Sequence, residues 1–183
     1  MAAVESKMLP LGTPAPDFAL PDVAGGGLIR MSEIAPGQPL LVMFLCRHCP
    51  YVVHVQQELA RLGRDYQGRA GIVAISSNDA SAYPLDSPAS LRAMAVEQGF
   101  VFPVCHDETQ AVARAYAAAC TPDFFLFDAA RKLAYRGQLD ASRPGNGIPV
   151  DGRDLRAALD ALLTGRPVNP VQRPSLGCSL KWK

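Results

Sequence analysis

After Pro39 the chain is apolar at every position of Leu40-Leu-Val-Met-Phe-Leu45, the pattern of a strand buried on both faces of a sheet. The spacing then changes. From Val52 to Tyr66, Val52, Val53, Leu59 and Leu62 fall near one face of a helix, while Gln56, Arg61 and Arg64 fall elsewhere, and Gly68 fits its end. A second apolar run, Gly71-Ile-Val-Ala-Ile-Ser76, predicts another buried strand. Residues 40–76 thus read as one β-α-β unit, normally a right-handed parallel crossover, which sets the class as α/β.

Further along, Asn78 to Pro88 is a polar loop, and Pro88 opens a helix that runs to Gln98 and closes at Gly99. Phe102 to Val104 predicts a short strand, and Asp107 a cap for an alanine-rich helix over Thr109 to Ala119. Asp123 to Phe127 and Lys132 to Arg136 read as an antiparallel hairpin at the edge of a mixed sheet. Arg153 to Leu163 gives a last helix with Gly165 as its stop. The prolines of Leu11 to Pro21 favour an extended start, Gly25-Gly26-Gly27 a turn, and the prolines from Pro167 onwards an extended C-terminal tail over 166–183. No shift in composition marks a linker, so 1–183 reads as a single domain.

Composition narrows the function. Apolar residues make up 49% and charged residues 19%, as in a globular protein rather than a disordered chain. Eighteen Lys and Arg against 17 Asp and Glu leave no basic excess for a phosphate backbone, so no nucleic-acid partner is expected. The run from Leu40 to Cys46 falls far short of the ~20 apolar residues a membrane-spanning helix needs, so no membrane is expected either. Met1 to Pro10 lacks an apolar stretch suited to a secretory signal, and a cytoplasmic setting is expected. Five unevenly spaced cysteines do not make a disulfide scaffold. In a reducing compartment they are catalytic, metal-binding or simply buried. Nothing in the pattern fixes an oligomeric state.

Cys46-Arg47-His48-Cys49 lies where the first buried strand hands over to a helix. The open N–H groups and positive end of a helix favour an anion, and a thiolate is one. Arg47 and His48 add candidate positive charge, in a setting where thiols fall to ~3.5–7.5. On this reading Cys46 is the nucleophile. Cys49, one helical turn along, is the more buried, resolving thiol. The same C-x-x-C is also half a zinc site, with Cys105-His106 as a candidate second half.

Gly12-Thr-Pro-Ala-Pro-Asp-Phe-Ala-Leu-Pro21, Phe44-Leu-Cys-Arg-His-Cys-Pro-Tyr51 and Thr121-Pro122 together resemble the thioredoxin-like superfamily, in its peroxiredoxin-related AhpC/TSA or redoxin branch. Ile75-Ser-Ser-Asn-Asp79, Tyr83-Pro84 and Tyr135 to Pro144 extend the likeness to a bacterial subgroup that carries C-x-x-C. The resemblance implies a thioredoxin-like fold: a mixed central sheet flanked by helices, with an N-terminal extension and the C-terminal tail. It also implies a redox-active Cys46–Cys49 pair, no cofactor, and Pro122 in cis beside the pair. That proline leaves the backbone at Thr121 free to pair with an extended substrate. The implied activity is thiol–disulfide exchange with a disulfide or peroxide substrate and a thiol electron donor. Peroxiredoxins place a threonine three residues before the attacking cysteine. That position is Met43 for Cys46 and Cys46 itself for Cys49. Cys120 is a candidate third redox thiol, Cys178 a thiol on the tail that reaches the site, pairs with another chain or stays inert, and Arg136 and Arg143 candidate cations near the sulfur. A redox sensor or zinc module is the non-enzymatic alternative.

Overall fold

The computed structural model describes residues 3–183. Its strands, in chain order, are β1 (Ala3–Glu5), β2 (Ala19–Pro21), β3 (Leu28–Arg30), β4 (Leu40–Phe44), β5 (Gly71–Ser76), β6 (Val104–His106), β7 (Cys120–Thr121), β8 (Asp123–Phe127), β9 (Leu133–Gly137) and β10 (Leu176–Ser179). The helices are α1 (Pro50–Tyr66), α2 (Pro88–Gln98), α3 (Ala111–Ala115) and α4 (Arg153–Leu163).

The central sheet runs β6-β5-β4-β8-β9, with β4, β5 and β6 parallel, β8 antiparallel to β4, and β9 antiparallel to β8. β4 is apolar throughout because both of its faces are covered, and every residue in it is fully buried. Alternate side chains feed two cores. Leu41 and Met43 join Val52, Val55 and Leu59 of α1, Leu91 and Met94 of α2, and Leu155 and Leu159 of α4. Leu40, Val42 and Phe44 join Phe125, Phe127 and Tyr116 on the opposite face, where Phe18, Leu20 and Met31 of the N-terminal segment close the layer. Phe44, Tyr116 and Phe125 pack pairwise with ring centroids 5.6 to 5.9 Å apart, contacts worth about 0.5–1.5 kcal/mol each beyond their area.

Several expected boundaries move. α1 begins at Pro50 rather than Val52, since Pro suits the first helical position and needs no N–H there. β6 lies two residues later than Phe102 to Val104. Pairing with β5 sets it at Val104, Cys105 and His106, while the Phe102 ring packs where a side chain on Gly63 of α1 would stand. The alanine-rich helix is shorter than its propensity predicts. Gln110, rather than Asp107, is its N-cap. Ala117 turns left-handed, at φ 49°, as the chain enters β7.

The C-terminal tail is more than an extended coil. Its residues 176–179 form β10, which lies antiparallel between β1 and β7 in a second sheet. Cys178 and Leu180 are buried there.

Candidate functional site

The chain leaves β4 through Leu45 and reaches α1 by way of Cys46, Arg47, His48 and Cys49. Cys49 is the N-cap, with extended backbone, and its carbonyl accepts from the N–H groups of Val52 and Val53. The sulfur at the helix start is therefore that of Cys49 and not, as the motif's order suggested, that of Cys46. Nor is Cys49 alone in being buried: Cys46 is 1% exposed and Cys49 0%.

Thr121 reaches the pair from across the fold. β7 and β8 flank a Thr121–Pro122 peptide bond that is cis. Thr121 Oγ1 lies 3.2 Å from Cys46 Sγ, and the Thr121 carbonyl lies 3.2 Å from Cys49 Sγ, where a protonated Cys49 donates to it. One residue thus touches both sulfurs. Its backbone is not free to take a substrate strand, as the resemblance implied. β10 already pairs there, Cys178 standing opposite Thr121 and Ser179 opposite Cys120. Gly177 permits this close approach, because a Cβ on it would sit 2.0 Å from the Thr121 oxygen.

Positive charge does not gather at the sulfurs as expected. The Arg47 guanidinium turns away, donating to both carboxylate oxygens of Glu97 at 2.9 Å and to the Ser90 carbonyl at 2.6 Å. Beside Cys46 stands instead a carboxylate, Asp86, which is completely buried and lies within 4.8 Å of the Cys46 sulfur. Asp86 accepts from the Arg47 backbone N–H at 2.8 Å and from Asn78 Nδ2 at 2.7 Å, and its Oδ2 lies 2.7 Å from His48 Nδ1. The His48 ring stacks on Tyr83 at 5.4 Å. Sequence reasoning missed Asp86, one acid in a polar loop that no spacing distinguishes from a solvated one. The nearest signal was Asn78-Asp79, noticed only as part of the resemblance. Asn78 proves to tie Asp86 to the C-terminal tail, its Oδ1 accepting from the Lys181 N–H at 2.9 Å.

These contacts divide one proton unequally between two sulfurs. Cys46 is pushed up, first by its hydrogen bond to Cys49, then by burial and by the negative charge of Asp86. Cys49 is lowered to about 5, chiefly by the hydrogen bond from Cys46, against burial, and then by the Cys178 thiol and the backbone N–H groups of Val52 and Cys178. Both directions favour ionisation of Cys49 over that of Cys46.

The other candidates fall outside this arrangement. The Cys120 sulfur donates to the Pro122 carbonyl at 3.6 Å, and burial raises its pKa. Arg136 donates to Gln172, and Arg143 to the carbonyls of Asp140 and Ser142 and to Gln138. Cys105 is buried in β6, its thiol pushed up to about 12 by burial. Among the described residues, the metal-ligand grouping that includes Cys46 is with His48 and Asp86, whose ligand atoms lie within 4.8 Å of one another, and not with Cys105 and His106. Asp86 already serves Asn78, His48 and the Arg47 backbone, so its first role is to hold the loop.

A mixed sheet with two cysteines at a strand-to-helix junction, facing a cis-proline loop, defines a thioredoxin-like α/β protein. The AhpC/TSA family model matches residues 11–136, and the chain belongs to that family. A crystal structure of an uncharacterized conserved protein from Geobacillus kaustophilus is 56% identical, with a TM-score of 0.98 over 100% of this chain and 97% of that one. A hypothetical protein from Sinorhizobium meliloti 1021 is 48% identical, with a TM-score of 0.95 over 98% of each chain. At 17% identity the fold is shared with a thiol:disulfide interchange protein of the thioredoxin family from Chlorobium tepidum TLS, with a TM-score of 0.65 over 85% of this chain and 99% of that one. No curated protein matches the chain. The family and fold support a redox function, and no helix of the described residues is long and apolar enough to cross a membrane.

Proposed function

We propose that the protein is a thiol–disulfide oxidoreductase whose Cys46–Cys49 pair alternates between dithiol and disulfide. Its substrates are protein or small-molecule disulfides, a thiol supplies the electrons, and the proposed setting is cytoplasmic. The observation that carries this reading is that both sulfurs meet Thr121 beside a cis proline, Cys49 at the start of α1 with its thiol lowered and Cys46 beside it with its thiol raised. Geometry thereby favours the reverse of the roles that the motif's order suggested.

The steps follow from ordinary exchange chemistry. Cys49 thiolate attacks one sulfur of the substrate disulfide and forms a mixed disulfide, and the departing thiolate takes the proton that Cys46 held. Cys46 thiolate then attacks Cys49 Sγ and releases the second substrate sulfur as a thiolate, which takes a proton from solvent. Two electrons pass to the substrate, and the Cys46–Cys49 disulfide remains for the donor to reduce. Sulfur carries the whole sequence, so no cofactor is required.

One observation favours a second substrate, hydroperoxide. Cys46 occupies, relative to Cys49, the place where the resemblance puts a threonine, and its thiol lowers that of Cys49. Cys49 would then take oxygen as a sulfenic acid, and Cys46 would condense onto it with loss of water.

The test is to present a small-molecule disulfide and, separately, an alkyl hydroperoxide to the reduced protein, alkylate the remaining thiols, and map the bridges. Tryptic cleavage after Arg47 separates the two cysteines, so a Cys46–Cys49 bridge links two peptides. Cys49→Ser is expected to abolish turnover. Cys46→Ser is expected to slow it and place the mixed disulfide on Cys49. Wild-type turnover in Cys49→Ser would restore Cys46 as the attacking thiol, and absence of the bridge in wild type would sink the reading altogether.

A further inference from the structure

Three cysteines, rather than two, adjoin Thr121. Cys46 and Cys49 meet its hydroxyl and its carbonyl. Cys178 is its antiparallel partner on β10. Residues directly opposite each other in an antiparallel pair project to the same face of the sheet, so Cys178 shares the side from which Thr121 Oγ1 reaches Cys46. All three cysteines belong to one buried cluster. Cys120, one residue from Thr121, projects to the other face by the alternation of a strand, and its sulfur bonds to the Pro122 carbonyl instead.

The strand that carries Cys178 is fixed rather than loosely laid. Ser6 and Ser175 exchange hydrogen bonds at 2.8 and 2.9 Å at one end. Lys181 accepts from the Asp79 N–H at 2.8 Å and donates to Asn78 at 2.9 Å at the other. The tail therefore lies along the edge beside the cis-proline loop and brings its own cysteine to the pair.

We infer that Cys178 is a third redox thiol, which exchanges with the Cys46–Cys49 disulfide to form a Cys49–Cys178 bridge. The inference rests on the proposed dithiol chemistry, since that disulfide must form first. In the step, the Cys178 sulfur attacks Cys49 Sγ, the Cys46–Cys49 bond breaks as the Cys49–Cys178 bond forms, and Cys46 leaves as a thiolate that takes the proton Cys178 gives up. No outside oxidant or reductant enters, because one disulfide and one thiol give one disulfide and one thiol. Burial, and then the neighbouring Cys49, hold the Cys178 thiol up at about 12 in the reduced state. Oxidation of Cys49 removes the second cause. The tail thus offers the pair an internal acceptor, and Cys46 is returned to its thiol form while oxidation is stored under β10.

The full-length protein is equilibrated in buffers of reduced and oxidised dithiothreitol over a series of ratios, quenched with alkylating agent, and mapped by mass spectrometry after trypsin. Arg166 and Arg173 precede proline and resist cleavage, so Cys178 travels on the peptide spanning 157–181. The expected result is that the wild type shows this peptide linked to that of Cys49 at partial oxidation. Cys178→Ser is expected to abolish that linkage and leave all oxidised protein as Cys46–Cys49. Absence of the Cys49–Cys178 linkage from the wild type at every ratio, with Cys46–Cys49 present, overturns the inference and leaves the dithiol reading standing. A wild type that forms neither bridge overturns both.

Discussion

At Cys49 two influences favour the thiolate, the helix start and the neighbouring Cys46. A helix N-terminus contributes up to about 2 kcal/mol to a favourably placed charge, and each tenfold change in ionisation needs about 1.4 kcal/mol. The Cys49 thiol is lowered to about 5, with Cys46 as the largest cause. The hydrogen bond from Cys46 is the larger influence, and the charge is stable only while that neighbour keeps its proton. Thiolate absorbance of the reduced wild type should therefore rise through about pH 5, with the sulfur protonated below and ionised above. Cys46→Ala removes the donor, and the same absorbance should then rise only at higher pH. An unmoved titration in that variant would assign the effect to the helix instead. Arg47 shows why residue type alone misled: its charge is next to the cysteine in sequence, but Glu97 and Ser90 hold it elsewhere.

Among the elements, β10 matters most to the site. It has four residues, and only Gly177 and Cys178 at its centre are buried. Adding a methyl group at Gly177 would drive Cβ into the Thr121 carbonyl, and overpacking of this kind costs about 1–3 kcal/mol. Gly177→Ala should lower the unfolding midpoint and loosen the strand without touching a sulfur. Since Cys49 and Cys178 are buried partly by that strand, their alkylation should quicken in the folded variant. Wild-type alkylation rates together with the expected destabilisation would show that β10 does not gate access to the pair. α1 plays the complementary part: its start fixes Cys49, and its apolar face fixes the angle at which the helix crosses β4.

Over the whole molecule, the central sheet has one ionisable residue at a costly place. Asp123 opens β8 opposite Phe44, is fully buried, and is raised to about 8 by burial despite accepting from the Ala119 and Phe124 N–H groups. The unfolded chain releases this proton at its ordinary value near 3.8. Between about pH 4 and 8 the folded protein holds one more proton than the unfolded one, so stability falls as pH rises through that window. Asp123→Asn should remove this part of the slope, gaining stability relative to wild type at pH 8 more than at pH 5. Urea unfolding at the two values measures it, and an equal change at both would show that Asp123 does not titrate in the folded state.

The sequence by itself determined the elements whose burial is complete or one-sided. β4, β5 and β8 are apolar because water is excluded from both their faces, and α1 and α4 are amphipathic because only one side meets the sheet. It also determined the Cys46–Cys49 pair, which is local in the chain, and the loop of Thr121 and Pro122 through resemblance to known proteins. Only the tertiary structure decided which cysteine caps the helix, because a helix that begins at Pro50 puts Cys49 rather than Cys46 at its N-cap. It alone placed Asp86 and Cys178 beside the pair. Neither belongs to a periodic pattern: Asp86 is one carboxylate in a polar loop, and Cys178 sits in a strand too short to alternate visibly. What brings them to the site is pairing between segments distant in sequence, and its register is set by backbone hydrogen bonds and the absence of a side chain at Gly177.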